Sequence, residues 1–319
     1  MHMEVHGIAR RPRSTFAPVD PRSGSTGVSP SIVMAGPPPR GGGAPAPTRG
    51  ARASMSPPLP FLHRRVPKTA VVLRWRRAGE GGPRLEPVRR PALAQLDDLV
   101  GVERQKAEAL RNVAQFVAGR PANNMLLWGA RGTGKSTLVK GLLARFRKEG
   151  LRMVAVDRLG LADLPDIVER LADVGGRWIV YCDDLGFEGD ETGYLGLKSV
   201  LEGGLTALPE QVLVCATSNR RHLLPEPAAD TACEAEVHPD EATDARLSLA
   251  DRFGLWLSFP PFDQRTYLQA VFHWLARLGA PLEPRAEIER EALQWAMGRG
   301  SRSGRTAWQY ARDRAGRTL

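Results

Sequence analysis

The sequence predicts an α/β fold: a five-stranded parallel sheet with flanking helices, followed by a small helical domain at the C-terminal end. Three observations predict it. Between residues 125 and 259, five apolar runs of strand length alternate with segments of helical period, and buried strands separated by helices form parallel sheets. After Pro261 the strand pattern stops and three helical segments take over. The stretch NNMLLWGARGTGKSTLVKGLL, Asn123 to Leu143, sets a glycine-rich turn between the first apolar run and a helix.

Within that stretch, Gly129 to Ser136 reads G-x-x-x-x-G-K-S, a phosphate-binding loop in the strand-loop-helix context that gives it meaning. Gly129, Gly132 and Gly134 let the backbone turn its N–H groups inward, the residues between them (Ala130, Arg131 and Thr133) contribute main-chain donors, and the helix from Lys135 presents its own unpaired N–H groups. Lys135 is expected against the β- and γ-phosphates. The Ser136 hydroxyl is expected on Mg²⁺, with Thr137 beside it. The cofactors implied are ATP and Mg²⁺.

At the start of the chain, residues 1–60 hold 12 Pro and 8 Gly with few large apolar residues, a composition that cannot offset the entropy of ordering, so a disordered segment is expected. Met55 is a candidate true start, and an organelle transit peptide is an alternative reading of the Arg-containing head. Residues 61–92 are expected to be a small basic hairpin and linker, with two short strands around a Gly-Gly turn in Thr69–Pro91. The α/β domain is expected over 93–262 and the helical lid over 263–319. An amphipathic helix is expected from Glu103 to Val117. Strands are read at 125–128, 151–157, 177–184, 211–219 and 255–259, with helices from Lys135, over Leu164–Ala172 and over Thr192–Glu202. Pro225–Leu247, with seven acidic residues, reads as a mobile loop, and the lid helices as Gln264–Leu278, Ala286–Met297 and Arg305–Arg314.

The net charge of +10 resides in the first 90 residues, and the remainder is slightly acidic. Cys182, Cys215 and Cys233 lack the paired spacing of a zinc site and suit a reduced, cytoplasmic protein. No apolar stretch reaches membrane-spanning length.

A phosphate loop alone leaves kinases, transporters and switches open, so the strand ends downstream of it discriminate. WIVYCDDL is a strand ending in adjacent carboxylates: Asp183 is placed to hold the Mg²⁺ shell and Asp184 to orient or deprotonate the attacking water. In CATSN, Asn219 ends a further strand, where an amide reaches the γ-phosphate or its water.

The order LDDLVG, GARGTGKS, YCDDL, TSN, ADRFG and a helical segment containing SGR resembles the AAA+ superfamily of ATPases over roughly residues 90–316. The wording NNMLLWGARGTGKSTLVKGLL, ATSNRRHLLP, DRFGLWLSF and GSRSGRTAWQYARD looks closest to a bacterial AAA+ family known only as a domain of unknown function. The resemblance implies a nucleotide site shared between subunits of a homo-oligomeric ring, a hexamer among the options. It implies that Arg252 is an arginine finger, that Arg305 is the second sensor with Arg302 its competitor, and that Val100 and Gly101 line the adenine pocket; Arg220 and Arg221 could also reach across an interface. Most working members carry Glu where this chain has Asp184, so water positioning and rate are in question, with Glu188 a substitute.

The leading expectation is therefore an ATP-hydrolysing machine that remodels an unidentified protein or nucleoprotein partner. A nucleotide-gated scaffold with little hydrolysis is the second reading, and a nucleic-acid loader using the basic head the third and less favoured. A membrane partner is not expected. A small-molecule kinase is disfavoured because it has no need of a strand-end sensor and a terminal lid.

Overall fold

The computed structural model describes residues 69–77, 82–186, 191–203, 208–219 and 249–318, all within one unit, Pro57–Leu319. Strands form at β1 (Val72–Arg76), β2 (Arg84–Pro87), β3 (Met125–Gly129), β4 (Leu151–Val156), β5 (Arg177–Cys182), β6 (Val212–Ser218) and β7 (Leu255–Phe259). Helices form at α1 (Glu103–Val117), α2 (Lys135–Phe146), α3 (Leu164–Ala172), α4 (Glu191–Glu202), α5 (Gln264–Arg277), α6 (Arg285–Gly298) and α7 (Gly304–Thr318). The expectations for residues 1–60, Glu188, Arg220, Arg221, Cys233 and the loop 225–247 lie outside the described residues. Among the described residues no helix is long and apolar enough to cross a membrane.

The strands form one sheet in the order β2-β1-β4-β5-β6-β3-β7. Its five inner and far-edge strands are the parallel set expected, but the sheet has seven strands. The expected hairpin forms, with Leu73 opposite Pro87 and Arg76 opposite Arg84, and β1 then pairs parallel with β4, Val72 on Met153. The cause is the alternation in VLRWR: Leu73 and Trp75 are buried while Arg74 and Arg76 are exposed, so one face of β1 needs a core that an isolated hairpin lacks. Trp75 also donates its indole N–H to Asp163, 2.9 Å away.

Both faces of the sheet are covered. Along β5, Trp178, Val180 and Cys182 enter the cluster built with α3 and α4, whereas Ile179 and Tyr181 enter the one built with α1 and α2. This strict alternation with apolar residues on both sides is why the strands read as continuous apolar runs. The paired asparagines before β3 set its entry. Asn112, buried in α1, exchanges two hydrogen bonds with the Asn123 backbone (2.8 and 3.0 Å), and the Asn124 side chain accepts from the Val214 N–H of β6 at 2.8 Å.

Helices α5, α6 and α7 form a bundle with its own core of Tyr267, Val271, Leu275, Ile288, Ala292, Ala307, Tyr310 and Ala311. The last helix runs to Thr318, past the expected Arg314, because Ala315 is buried in that core.

Candidate nucleotide-binding site

Strand β3, in the interior of the sheet between β6 and β7, delivers the glycine loop to the carboxyl end of the sheet, where open α/β sheets bind ligands. Two glycines are required by position. Gly134, at φ +107°, caps α2 in a left-handed conformation. A Cβ on Gly129 would strike the Phe259 carbonyl of β7, which also accepts the Ala130 N–H at 2.9 Å. The loop is thus stitched to the neighbouring strand before any ligand is considered.

Lys135 is buried, and its ammonium donates to Gly129 O at 2.7 Å, Ala130 O at 2.8 Å and Asn219 Oδ1 at 3.1 Å. Burial lowers its pKa, Asp184 and Asp183 oppose that shift, and Arg131 and Arg305 add to it. Next to it, one oxygen of Asp183 accepts three hydroxyls: Tyr181 and Thr217 at 2.6 Å and Ser136 at 2.9 Å. Burial works against the charged carboxylate, but the hydrogen bonds from Thr217, Tyr181 and Ser136 outweigh it and hold the Asp183 pKa below its ordinary value. Burial and the Asp183 contact push the Tyr181 phenol upward, so it stays a donor.

Thr217 ties the two carboxylates together, because its hydroxyl donates to Asp183 and accepts the Asp184 N–H at 2.9 Å. Asp184 is exposed at φ +55°, in the left-handed region that Asp tolerates better than most side chains. The Asn219 amide donates to its carboxylate while the same side chain accepts from Lys135. Asn219 therefore bridges the loop lysine to the second carboxylate across the ends of three strands.

These groups line a cleft of about 690 Å³. Its opposite wall comes from the helical bundle and the segment before α1: Leu99, Val100, Phe262, Ala270, Trp274, Gly304, Arg305 and Trp308. Trp274 and Trp308 lie 4.5 Å apart, tilted by 58°. The bundle touches the loop directly, since the Arg305 N–H donates to Gly132 O at 3.1 Å. A Cβ on Gly132, at φ +77°, would come within 2.8 Å of Ser303 Oγ.

Of the residues singled out in the sequence, Val100, Arg131 to Thr137, Asp183, Asp184, Asn219 and Arg305 line this cleft together. Gly129 and Ala130 offer carbonyls to Lys135 from beneath it. Gly101 is not part of the lining; it packs on Thr266 of α5. Arg302 is likewise outside the lining, and Arg252 pairs with Glu202 at 3.5 Å, half-exposed and away from the cleft.

Sequence reasoning missed Tyr181, Thr217 and the two cleft tryptophans. A signal existed for the first, which sits two residues before Asp183 and so shares its face of the strand. Thr217 lies within CATSN, two residues before Asn219. Trp274 and Trp308 sit in helical segments, and a tryptophan on an apolar face is ordinarily core, as the buried Trp75 and Trp178 are.

The donors fit a magnesium ion: a hydroxyl and a carboxylate kept charged, facing a cleft with room for phosphate oxygens and water to complete an octahedral shell. Among the described residues no group of three or more His, Cys, Asp or Glu could hold a metal alone.

A family described as a protein of unknown function (DUF815) matches residues 68–318. The chain belongs to that family. No curated protein matches this DUF815 member. Among solved structures it is similar to a mutant of Thermotoga maritima RuvB, at 17% identity over 70% of this chain and 64% of that one, with a TM-score of 0.47. It is similar to Aeropyrum pernix ORC1, solved in complex with DNA, at 16% identity, 66% and 58% coverage and a TM-score of 0.46. C. elegans PCH-2 gives 19% identity, 67% and 63% coverage and a TM-score of 0.45. The DUF815 chain thus spans less than two thirds of each of these chains. Its own strand order sets the phosphate-loop strand between β6 and β7, the carboxylates just past the end of β5 and a three-helix bundle over the loop, which is the P-loop α/β sheet and helical lid that the sequence predicts.

Proposed function

We propose that this DUF815 member binds ATP with Mg²⁺, hydrolyses it, assembles as a homo-oligomer and uses the cycle to remodel a protein or nucleoprotein partner. The observation that carries the reading is the convergence on one cleft of Lys135, the Ser136–Asp183 pair and the Asp184–Asn219 pair. Loop N–H groups and Lys135 offset phosphate charge in a partly buried setting, where such donors act most strongly. Ser136 and Asp183 would hold Mg²⁺, which when bound neutralises charge on the phosphate oxygens. Asp184 and Asn219 orient water toward the γ-phosphate, and Arg305, on the helix hydrogen-bonded to the loop, responds to what the loop holds. Free, buried Cys182 and Cys215 suit a reducing compartment such as the cytoplasm.

Arg252 acts from a neighbouring subunit in this reading. Its guanidinium is half-exposed and, among the described residues, pairs with Glu202 at 3.5 Å, and an always-charged fork is suited to phosphate oxygens. Steady-state ATP hydrolysis over a protein-concentration series tests the whole reading: specific activity should rise with concentration and fall by roughly 10³-fold in Arg252→Ala, as arginine-finger removal does. Activity independent of concentration and unchanged in that variant would sink the shared site.

A second reading is a nucleotide-gated scaffold with little turnover. Asp184 favours it: the carboxylate is short, set at φ +55° and engaged by Asn219. Turnover indistinguishable from that of Lys135→Ala, with ATP-dependent assembly intact, would select it.

A further inference from the structure

The wall of the cleft opposite the sheet is held in place by a polar contact that lies outside the chemistry described so far. The segment from Leu96 to Gly101 is wedged between α2 and α5. Leu96 covers Gly141, and Leu99 covers Gly134, where an added Cβ would meet each leucine at 2.6 Å. Lys106 fastens the segment from α1 by donating to the Leu96 and Leu99 carbonyls at 3.1 and 3.3 Å. Gly101 lies against Thr266.

Asp98 projects from this segment toward α5. One of its oxygens meets His273 Nε2 at 3.2 Å and Arg277 Nε at 3.0 Å, two residues one helical turn apart on the same face. The Asp98 side chain is 14% exposed. His273 stands edge-on to Trp274 at 5.1 Å, and Trp274 meets Trp308 in the cleft wall. A continuous chain of contacts therefore runs from Asp98 through His273 to the indoles, and Asp98 itself reaches the cleft.

We infer that Asp98 is a positioning residue for the nucleotide base: through His273 and Arg277 it fixes α5 so that Trp274 and Trp308 close the apolar end of the cleft over a purine. This rests on the nucleotide-binding reading above. A purine has the π-face to use such a wall, whereas the triphosphate is held at the other end by the loop.

The test uses the full chain with Asp98→Asn, His273→Gln and the double variant, measuring ATP affinity by calorimetry and competition by inorganic tripolyphosphate, with a thermal melt to verify folding. Asp98→Asn should weaken ATP about 5–10-fold, the scale of one ordinary hydrogen bond, and leave tripolyphosphate within about 2-fold. The double variant should be no weaker than Asp98→Asn alone, since residues acting in one chain are non-additive. ATP affinity within about 2-fold of wild type, an equal loss for both ligands, or additive losses would each overturn the inference. Lys135→Ala separates the two claims: if the wild type binds ATP and Lys135→Ala does not, a null result for Asp98→Asn condemns the latch alone, whereas a wild type that binds no ATP condemns both.

Discussion

On the sheet side of the cleft, polar groups hold one another: Lys135 is bound by two loop carbonyls and Asn219, and Asp183 by three hydroxyls from two other elements and its own strand. On the bundle side the wall is Phe262, Ala270, Trp274 and Trp308, tied to the rest by the Arg305–Gly132 hydrogen bond and the Asp98 cluster. The first wall is set by strand register, so its geometry is fixed when the sheet forms. The second depends on where a separately packed bundle rests. Rigid placement suits charge stabilisation, and an adjustable wall suits grip and release.

The comparison breaks first at Lys135. Replacing it with Ala should cost about 10²–10³-fold in hydrolysis, the scale for removing one preorganised donor, and should abolish ATP binding as read by calorimetry. A loss smaller than that of any bundle-side variant would reverse the proposed division of labour.

Trp274→Ala tests the other wall. One base-stacking partner is worth about 1–3 kcal/mol, so ATP affinity should fall by roughly 10-fold, with turnover at saturating ATP much less affected. A collapse in turnover with affinity preserved would mean that the two walls are not separable.

Thr217→Val sharpens the account of the sheet side through pH. The folded Asp183 pKa lies below its ordinary value. Its charged form therefore contributes stability above the unfolded pKa, which is lost as pH falls through the folded one. Without the Thr217 hydroxyl the folded pKa rises, so the acid limb of hydrolysis should move to higher pH, accompanied by a several-fold loss at neutral pH. An unmoved acid limb would show that Thr217 does not control this carboxylate.

The smallest effect is expected from Asp184→Glu. The added methylene should raise turnover a few-fold, while the left-handed backbone at φ +55° should cost stability of about 1 kcal/mol, because Glu tolerates that region less well than Asp. Reduced turnover would indicate that this chain's geometry is built around the shorter acid.

Much of the sheet side was legible because its signals are local. The loop motif sits within one strand-turn-helix, and double-sided burial makes five strands read as apolar runs. What escaped notice depends on partners distant in the chain. The pairing of Val72 with Met153 turns a hairpin into part of the sheet, and no pattern in VLRWR names β4 as the partner. Thr217 matters only because β6 lies beside β5 in a register that sets Cys182 opposite Ala216. Trp274 and Trp308 look like core residues until the bundle's resting place turns their faces to the cleft. Gly101, adjacent to Val100, packs instead on Thr266, a distinction of one residue that a motif could not draw.

The hydrogen bond from Arg305 to the Gly132 carbonyl joins the glycine loop to the end of a long rod. Helix α7 has 15 residues, which at 1.5 Å per residue makes an arm about 22 Å long. Under the proposed function, its pivot is a peptide unit of the loop that faces the nucleotide's phosphates. A tilt of about 10° at that pivot would carry the far end through about 4 Å, so under the proposed function gain or loss of one phosphoryl group would be amplified into a stroke of about three-quarters of a helical turn.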